Sequence, residues 1–310
     1  MTSPSLFDRA TDHMIALQES ILAAVEELEG GATFRRDDWQ REEGGEGDAS
    51  NPAAPILRGW GRTRVIENGR FFERGGVNLS VVEGRFGSVA PTHMPGDGHH
   101  FRAVGVSLVL HPHNPFAPTV HMNYRRMERG STGWFGGGAD LTPNYLFEED
   151  ARHFHQTHKA VCDAHTAVAN HTAMKEECDR YFTIPHRGEM RGVGGIFFDH
   201  MMTQPEESFA FLRDASQAFI PAYLAIARRR DNTPFEPHHR QWQLLRRGRY
   251  VEFNLVNDRG TQFGLRTGGR IESILMSMPA NASWAYDHHP APGSDEARMV
   301  AALQPHDWTA

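Results

Sequence analysis

The chain of 310 residues is 39% hydrophobic and carries a formal net charge of -7. This length suffices for one large domain with a substantial core, and no linker divides it, so we predict a single domain over residues 1–310. The negative charge argues against a general nucleic-acid-binding protein, which needs a basic surface.

Apolar runs and cysteines indicate the cellular setting. No run approaches the roughly 18 apolar residues of a membrane span, and the N-terminus lacks the features of a signal peptide, so we expect a soluble, cytoplasmic protein. Cys162 and Cys178 lie in one predicted helical region without a CxxC spacing. We therefore predict reduced structural thiols rather than a disulfide or a zinc site.

The first third of the chain predicts a helix, a loop and the start of a sheet. Apolar residues recur at helical spacing over residues 8–29, and Gly30-Gly31 ends the element. Residues 41–61 are rich in Gly, Pro and charge, which predicts a mobile loop. Residues 70–83 predict two short strands separated by Gly75-Gly76.

The central stretch, residues 105–125, predicts a hairpin in which strand-like runs at 104–111 and 120–125 flank a proline-rich bend. Side chains alternate across a strand, so the polar groups of both runs share one face. These residues are Ser107, His111, His121, Asn123 and Arg125. A solvated sheet face also alternates, but it favours Thr, Lys and Glu. We interpret this face as the floor of an active site.

Residues 134–143, WFGGGADLTP, predict a close approach of the backbone to a ligand or to another strand. Thr142 and Pro143 resemble a helix N-cap and its first position. The following helix carries His155 and His158 three residues apart, so at least one should point inward. Either a buried, hydrogen-bonded histidine or a ligand or proton-transfer role fits this position.

Further along, residues 195–199 predict a strand, and Thr203 with Glu206 predicts a capping box that opens a helix as far as Arg228. The last third then predicts an antiparallel meander. Its three strands cover residues 246–256, 261–266 and 271–279, joined by turns at NDRG and TGGR. With the earlier runs, about seven strands form one mostly antiparallel sheet with helices between them, which is the α+β class.

The chemistry of these residues points to an anionic substrate. The chain offers several histidines, many arginines whose planar fork suits carboxylates, and Asp258 in a predicted turn. It contains no nucleophile motif and no nucleotide fingerprint. A substrate that bears several carboxylates fits this inventory.

Several long segments closely resemble oxygen-dependent coproporphyrinogen III oxidases of haem biosynthesis. These segments are FERGGVNLS, GVSLVLHPHNPFAPTVHMNYR, WFGGGADLTP, YFTIPHR, GVGGIFFD and RRGRYVEFNLVNDRGTQFGLRTGGRIESILMSMP. The resemblance implies a flat antiparallel sheet between helices. It also implies conversion of two propionates of coproporphyrinogen III to vinyl groups, giving protoporphyrinogen IX, with O2 as co-substrate and without flavin, haem or nucleotide.

The resemblance also implies roles for individual residues. His121 would be a proton donor, and Asp258, supported by Arg259, is our candidate for the base that removes a pyrrole N–H proton. The implied substrate contacts are Ser107, Asn123, Tyr124, Arg125, Arg246, Gly268, Gly269 and Arg270. A divalent metal, of open identity, would be held by His111, His121, His155 and His186. A homodimer would form through the meander at about residues 250–285.

Two alternatives remain open. A non-haem metal-dependent oxygenase would use two histidines and a carboxylate, such as His111, His121 and Asp140. A tetrapyrrole-binding protein without catalytic activity would bind the porphyrinogen and leave it unconverted.

Overall fold

The computed structural model describes residues 3–41, 56–86, 94–266 and 269–310. Most of the predicted loop, residues 42–55, and the predicted substrate contact Gly268 lie outside this range. Residues 56–61 were predicted as part of that loop, but they are extended and begin a strand. Within the described ranges, no helix has the length and apolar character needed to cross a membrane.

One large antiparallel sheet forms the centre of the molecule, as predicted for an α+β fold. In chain order its strands are β1 (Arg35–Arg41), β2 (Ile56–Glu67), β3 (Phe72–Arg85), β4 (His100–Pro112), β5 (Thr119–Arg129), β6 (Thr132–Thr142) and β9 (Gly194–Met201). They pair in the spatial order β1-β2-β3-β4-β5-β6-β9. The short strands β7 (Thr183–Ile184) and β8 (Glu189–Met190) form a separate ribbon. The two predicted strands at 70–83 are one continuous strand.

The described helices flank this sheet. They are α1 (Leu6–Glu29), α2 (Glu148–Ala164), α3 (His171–Tyr181), α4 (Pro205–Gln217), α5 (Phe219–Arg230), α6 (Pro237–Glu252), a π-helical turn (Phe253–Asn257), α7 (Arg259–Arg266), α8 (Ile271–Leu275) and α9 (Asp295–Ala301). The helix predicted at 8–29 is confirmed, and it ends at Gly30 in the left-handed conformation. Cys162 and Cys178 are buried free thiols.

The two faces of the sheet differ in composition because side chains alternate along each strand. On the core face, Val106, Leu108 and Leu110 are buried with the apolar sides of α1, α2, α4 and α5. The opposite face is polar and is covered by α6 and α8, since Tyr250 contacts His111 there. Helices therefore lie on both faces, as the resemblance implied.

The predicted C-terminal meander is wrong. The segments 246–256, 261–266 and 271–279 are mainly helical, and every strand of the large sheet precedes residue 202. Alternating Val, Phe and Leu at 251, 253 and 255 suggested a strand, but burial does not follow that alternation, because Asn254 is buried and Leu255 is exposed. The buried positions Arg246, Arg247, Tyr250 and Phe253 recur at helical spacing instead.

Two helix starts also differ from the prediction. Thr142 is the last residue of β6, and α2 begins only at Glu148, whose acidic first turn suits the helix dipole. The capping box of Thr203 and Glu206 does not form, since Gln204 occupies the N-cap without a side-chain hydrogen bond. The helix predicted as far as Arg228 is divided into α4 and α5.

A buried carboxylate joins the polar-side helices to the sheet. Glu73 of β3 accepts hydrogen bonds from Arg240 at 2.7 Å and Asn281 at 2.9 Å, and it pairs with Arg247. Burial alone would raise the pKa of Glu73, but the hydrogen bond from Arg240 and the charge of Arg247 outweigh it and lower the pKa to about 2. Ionised Glu73 thus holds α6 against β3.

Replacing Glu73 by Gln should destabilise the protein by about 3 kcal/mol at pH 7, because the buried Arg247 and the partly exposed Arg240 lose their anion. The folded-state pKa is depressed from 4.5 to about 2, so this stabilisation is present above about pH 4.5 and is lost as the pH falls through about 2. Urea unfolding of both proteins across this range measures the difference.

Asp163→Asn is the matched control, since Asp163 pairs with Lys159 on the surface. It should cost about 0.5 kcal/mol or less. An equally small cost for Glu73→Gln would contradict the anchoring role.

Candidate functional site

Four polar side chains of β4 and β5 lie side by side on the polar face, and we call them the polar floor: Ser107, His121, Asn123 and Arg125. Ser107 is directly opposite Asn123 in the strand register. All four are partly exposed, whereas Val106, Met122 and Tyr124 between them are buried. The predicted grouping is confirmed for these four residues, whereas the fifth predicted member, His111, is fully buried.

Tyr124, which the resemblance implied as a substrate contact, does not lie on the polar floor. Its side chain is buried on the core face, where its ring lies 6.3 Å from that of Phe198. Since successive side chains of a strand point to opposite faces, Tyr124 cannot present its ring on the polar floor. Any contact with a ligand there would have to come from its backbone.

The C-terminal helices lie across the same face. Ser273 of α8 hydrogen-bonds Thr63 of β2 at 2.7 Å, and Met276 packs over Gly76. The ring of Phe182, just after α3, meets His121 edge-on at 5.6 Å. These helices therefore lie on the same face of the sheet as the polar floor and border it.

His121 is held by a buried carboxylate. Its Nδ1 lies 2.7 Å from Asp140 Oδ1, and the second oxygen of Asp140 accepts a hydrogen bond from Arg191 at 2.8 Å. Burial would raise the pKa of Asp140, but the charge of Arg191 and the hydrogen bond from His121 together lower it. An ionised Asp140 accepts a hydrogen bond from Nδ1 and so orients the imidazole. Nε2 of His121 has no hydrogen-bond partner among the described residues.

Arg191 is the other half of this arrangement. Its side chain is 2% exposed and lies over the rings of Phe182, Tyr250 and Phe253 at 4.2, 4.7 and 4.8 Å. It also donates to Asn254 of the π-helical turn at 2.9 Å. Arg191 thereby links strand β6 to the helices that border the polar floor.

Asp258 and Arg259 meet around a tyrosine. The hydroxyl of Tyr181 donates to Asp258 Oδ1 at 2.8 Å, and the Arg259 guanidinium lies 4.8 Å from the Tyr181 ring. The second oxygen of Asp258 accepts from the backbone N–H of Thr261 at 2.6 Å. Asp258 therefore caps the N-terminus of α7 in addition to any chemical role.

Two of the predicted arginine anchors are accessible and one is not. Arg125 pairs with Asp199 at 2.9 Å, and Arg270 pairs with Asp37 at 2.6 Å; the two arginine side chains are 25% and 33% exposed. Arg246 is 6% exposed and bound to Glu189 at 2.8 Å. This geometry favours Arg125 and Arg270 as ligand contacts and not Arg246. Gly269, which precedes Arg270, donates to the carbonyl of Gly264.

The structure does not bring the four predicted metal-binding histidines together. His111 is buried, with Nδ1 beside the Thr119 hydroxyl at 3.1 Å and Nε2 beside the Ser277 carbonyl at 2.9 Å, and burial lowers its pKa to about 3. His155 is also buried, with Nε2 beside the Val193 carbonyl at 3.0 Å.

His186 lies beside Glu252 at 2.9 Å, and His121 pairs with Asp140. In the described part of the chain, no three His, Cys, Asp or Glu side chains are arranged to hold a metal ion. That result covers the alternative set of His111, His121 and Asp140 as well. The donor atoms do not fit the predicted metal, and we derive no step through one.

The sequence indicated some of these residues and concealed others. Asp140 was named only as a metal ligand, whereas it is the partner of His121. Arg191 gave no signal, because its partner Asp140 is 51 residues away and the segment around it is rich in glycine. Asn254 was hidden by the false prediction of a strand.

Arg191→Met should lower the free energy of unfolding by about 3–5 kcal/mol, because it leaves the buried Asp140 carboxylate without a cation. Asp140→Asn in the same chain should recover part of this loss. A double-mutant cycle from urea unfolding should give a coupling energy of at least about 1 kcal/mol. Additive effects would contradict a direct pairing.

The whole of this architecture falls within one family match. A family model described as coproporphyrinogen III oxidase matches residues 9–308. The matched range contains the large sheet, the polar floor with the helices that border it, and Asp140 with Arg191. Since the match covers nearly the whole sequence, the chain belongs to the coproporphyrinogen III oxidase family.

Proposed function

We propose that this protein is an oxygen-dependent coproporphyrinogen III oxidase that forms protoporphyrinogen IX. Family membership supports coproporphyrinogen as the substrate and a decarboxylation in haem biosynthesis. The observation that carries the proposal is the His121–Asp140–Arg191 arrangement beside accessible arginines on the polar floor. Each turnover of one propionate would release CO2, leave a vinyl group, and pass two electrons with two protons to O2, giving H2O2.

Arg125 and Arg270 would bind substrate propionates. A guanidinium and a carboxylate form paired, charge-assisted hydrogen bonds. Both arginines already pair with half-exposed aspartates, Asp199 and Asp37. Ion pairs this exposed are worth about 0–1 kcal/mol each, so a substrate carboxylate can bind the same guanidinium at little cost.

His121 would handle a proton at its Nε2 atom. With Nδ1 bound to Asp140, the imidazole is fixed in orientation. The reaction needs one proton beyond those of the substrate for each O2 reduced to H2O2. Nε2 of His121, on the polar floor, would pass this proton.

Asp258 would be the base for a pyrrole N–H. Removing that proton makes the macrocycle electron-rich enough to react with O2. Both oxygens of Asp258 carry hydrogen bonds, from Tyr181 and from the Thr261 backbone. Each carboxylate oxygen has a second acceptor site, so a role as base is compatible with both of these hydrogen bonds and with the helix cap.

A homodimer through the C-terminal region is part of the proposal. The described residues between 255 and 271 expose large apolar side chains at positions that a soluble surface seldom leaves bare together. They are Leu255, Val256, Phe263, Leu265 and Ile271. A second copy of the chain over these side chains would bury them.

Purified protein incubated with coproporphyrinogen III in air should yield a divinyl porphyrinogen, CO2 and H2O2, and it should yield none of these without O2. Porphyrin chromatography after mild oxidation measures the product. Bound but unconverted substrate in air would favour the non-catalytic alternative. Loss of activity with a chelator, restored by one metal ion, would favour the metal-dependent oxygenase.

His121→Gln should reduce kcat by about 100-fold or more, since a positioned proton donor typically contributes that much. The melting temperature should change little, because His121 is partly exposed. His289→Ala, which changes a histidine whose side chain is 81% exposed, is the control and should leave kcat unaltered. Equal activity of His121→Gln and the control would remove His121 from the mechanism.

Asp258→Asn separates the two roles of Asp258, because Asn caps a helix about as well as Asp but is not a base. We expect activity to fall by about 100-fold with the melting temperature unchanged. Asp258→Ala should lose the activity and also about 1 kcal/mol of stability. An active Asp258→Asn variant would leave Asp258 only its structural role.

A further inference from the structure

Strand β9 contains an irregularity where it passes the polar floor. Gly137 of β6 pairs with Phe198, but Phe135 pairs with Met201, so two residues of β9, Asp199 and His200, lie opposite Gly136. This is a β-bulge, and His200 within it has a positive φ of 53°. Because of the extra residue, Phe198 and Met201 both reach the core. Asp199 follows Phe198 in the strand and therefore points to the polar face.

Gly136 leaves space for the Asp199 side chain. A Cβ atom at Gly136 would lie 2.7 Å from Asp199 Oδ1 and 2.9 Å from Arg125 Nη2. Any other residue would therefore push these two groups apart. Gly136 does not have a positive φ, so space rather than backbone conformation explains the glycine.

Arg125 is consequently fixed from two sides. Its Nη1 donates to Asn123 Oδ1 at 3.0 Å, and its Nη2 lies 2.9 Å from Asp199 Oδ2. The other oxygen of Asp199 accepts from the backbone N–H of His200 at 2.9 Å, which holds the carboxylate in turn. Two acceptors set the plane of the guanidinium and leave its remaining N–H groups for a ligand.

Stability alone does not explain this arrangement. The side chains of Arg125 and Asp199 are 25% and 26% exposed, and an ion pair that water reaches contributes little to folding. Three features meet at the Arg125 guanidinium. They are the bulge in β9, the glycine at position 136, and the Asp199 carboxylate, which is held by the backbone N–H of His200.

We propose that Asp199 is a positioning residue, which holds Arg125 in the orientation that binds a propionate of the substrate. The proposal rests on the proposed function, since it assumes a carboxylate ligand on Arg125. Asp199 acts through the position of its acceptor oxygen, and its negative charge is not needed.

The test compares Asp199→Ala with Asp199→Asn. The probe is coproporphyrin III, the oxidised macrocycle, which carries the same four carboxylates and does not react. Asp199→Ala should weaken its binding by about tenfold, the size of one lost charge-assisted contact. It should raise KM for coproporphyrinogen III by a similar factor and change kcat less. Asp199→Asn keeps one of the two acceptor oxygens, which can face Arg125 while the contact with the His200 N–H is lost. It should stay within about threefold of the unaltered protein, a difference of less than one hydrogen bond.

Two controls locate the effect. In an Arg125→Ala background, Asp199→Ala should cause no further loss, because the group that it positions is absent. Glu83→Gln removes the carboxylate of an arginine pair on the other face of the sheet, that of Glu83 with Arg58, and should leave binding unaltered. All of these variants should keep the melting temperature of the unaltered protein.

Three results would overturn the proposal. They are unaltered binding in Asp199→Ala, tighter binding in Asp199→Ala, which would make Asp199 a competitor of the propionate, and an undiminished loss in the Arg125→Ala background. Failure of the proposed function is distinguished by turnover. Unaltered protein that binds coproporphyrin III with the expected Asp199 effect, but does not convert coproporphyrinogen III, refutes the activity and retains the positioning role.

Discussion

The interaction on which the site depends is the buried ion pair between Asp140 and Arg191. A carboxylate and a guanidinium are both removed from water there, and neither is tolerable alone. Each therefore fixes the other, and their outer contacts reach in opposite directions. Asp140 orients His121 on the sheet, while Arg191 holds Asn254 and three aromatic rings on the helical side. This pair therefore connects the polar floor to the helices beside it.

Local patterns in the sequence were sufficient for the parts of the fold that are locally determined. The alternation at 105–125 predicted which side chains of β4 and β5 share a face, because a period of two holds along any strand. The spacing over 8–29 likewise predicted α1. The C-terminal third failed because short apolar alternation fits a strand and one side of a helix equally well. Tertiary packing against β3, through Glu73, selects the helix.

The site was only partly predictable for a related reason. Ser107, His121, Asn123 and Arg125 are neighbours through one hairpin, so their grouping follows from local sequence. Arg191 and Asp199 reach the site through pairing with β6, from more than 50 residues away. For the histidines, residue type alone led to a wrong expectation. Residue type suggested a metal, whereas His111 and His155 are buried and each has its Nε2 beside a backbone carbonyl, which no spacing in the sequence indicates.

Helix α7 connects Asp258, at its N-terminus, with exposed apolar side chains further along the same helix. Asp258 caps its N-terminus, and the side chains of Phe263 and Leu265 on the same short helix face outward and are exposed. A helix of eight residues is marginal without tertiary support. A second copy packed on Phe263 and Leu265 would therefore steady the carboxylate at the other end. In the proposed homodimer, subunit association and the position of the Asp258 carboxylate would be thermodynamically linked. Specific activity would then depend on protein concentration.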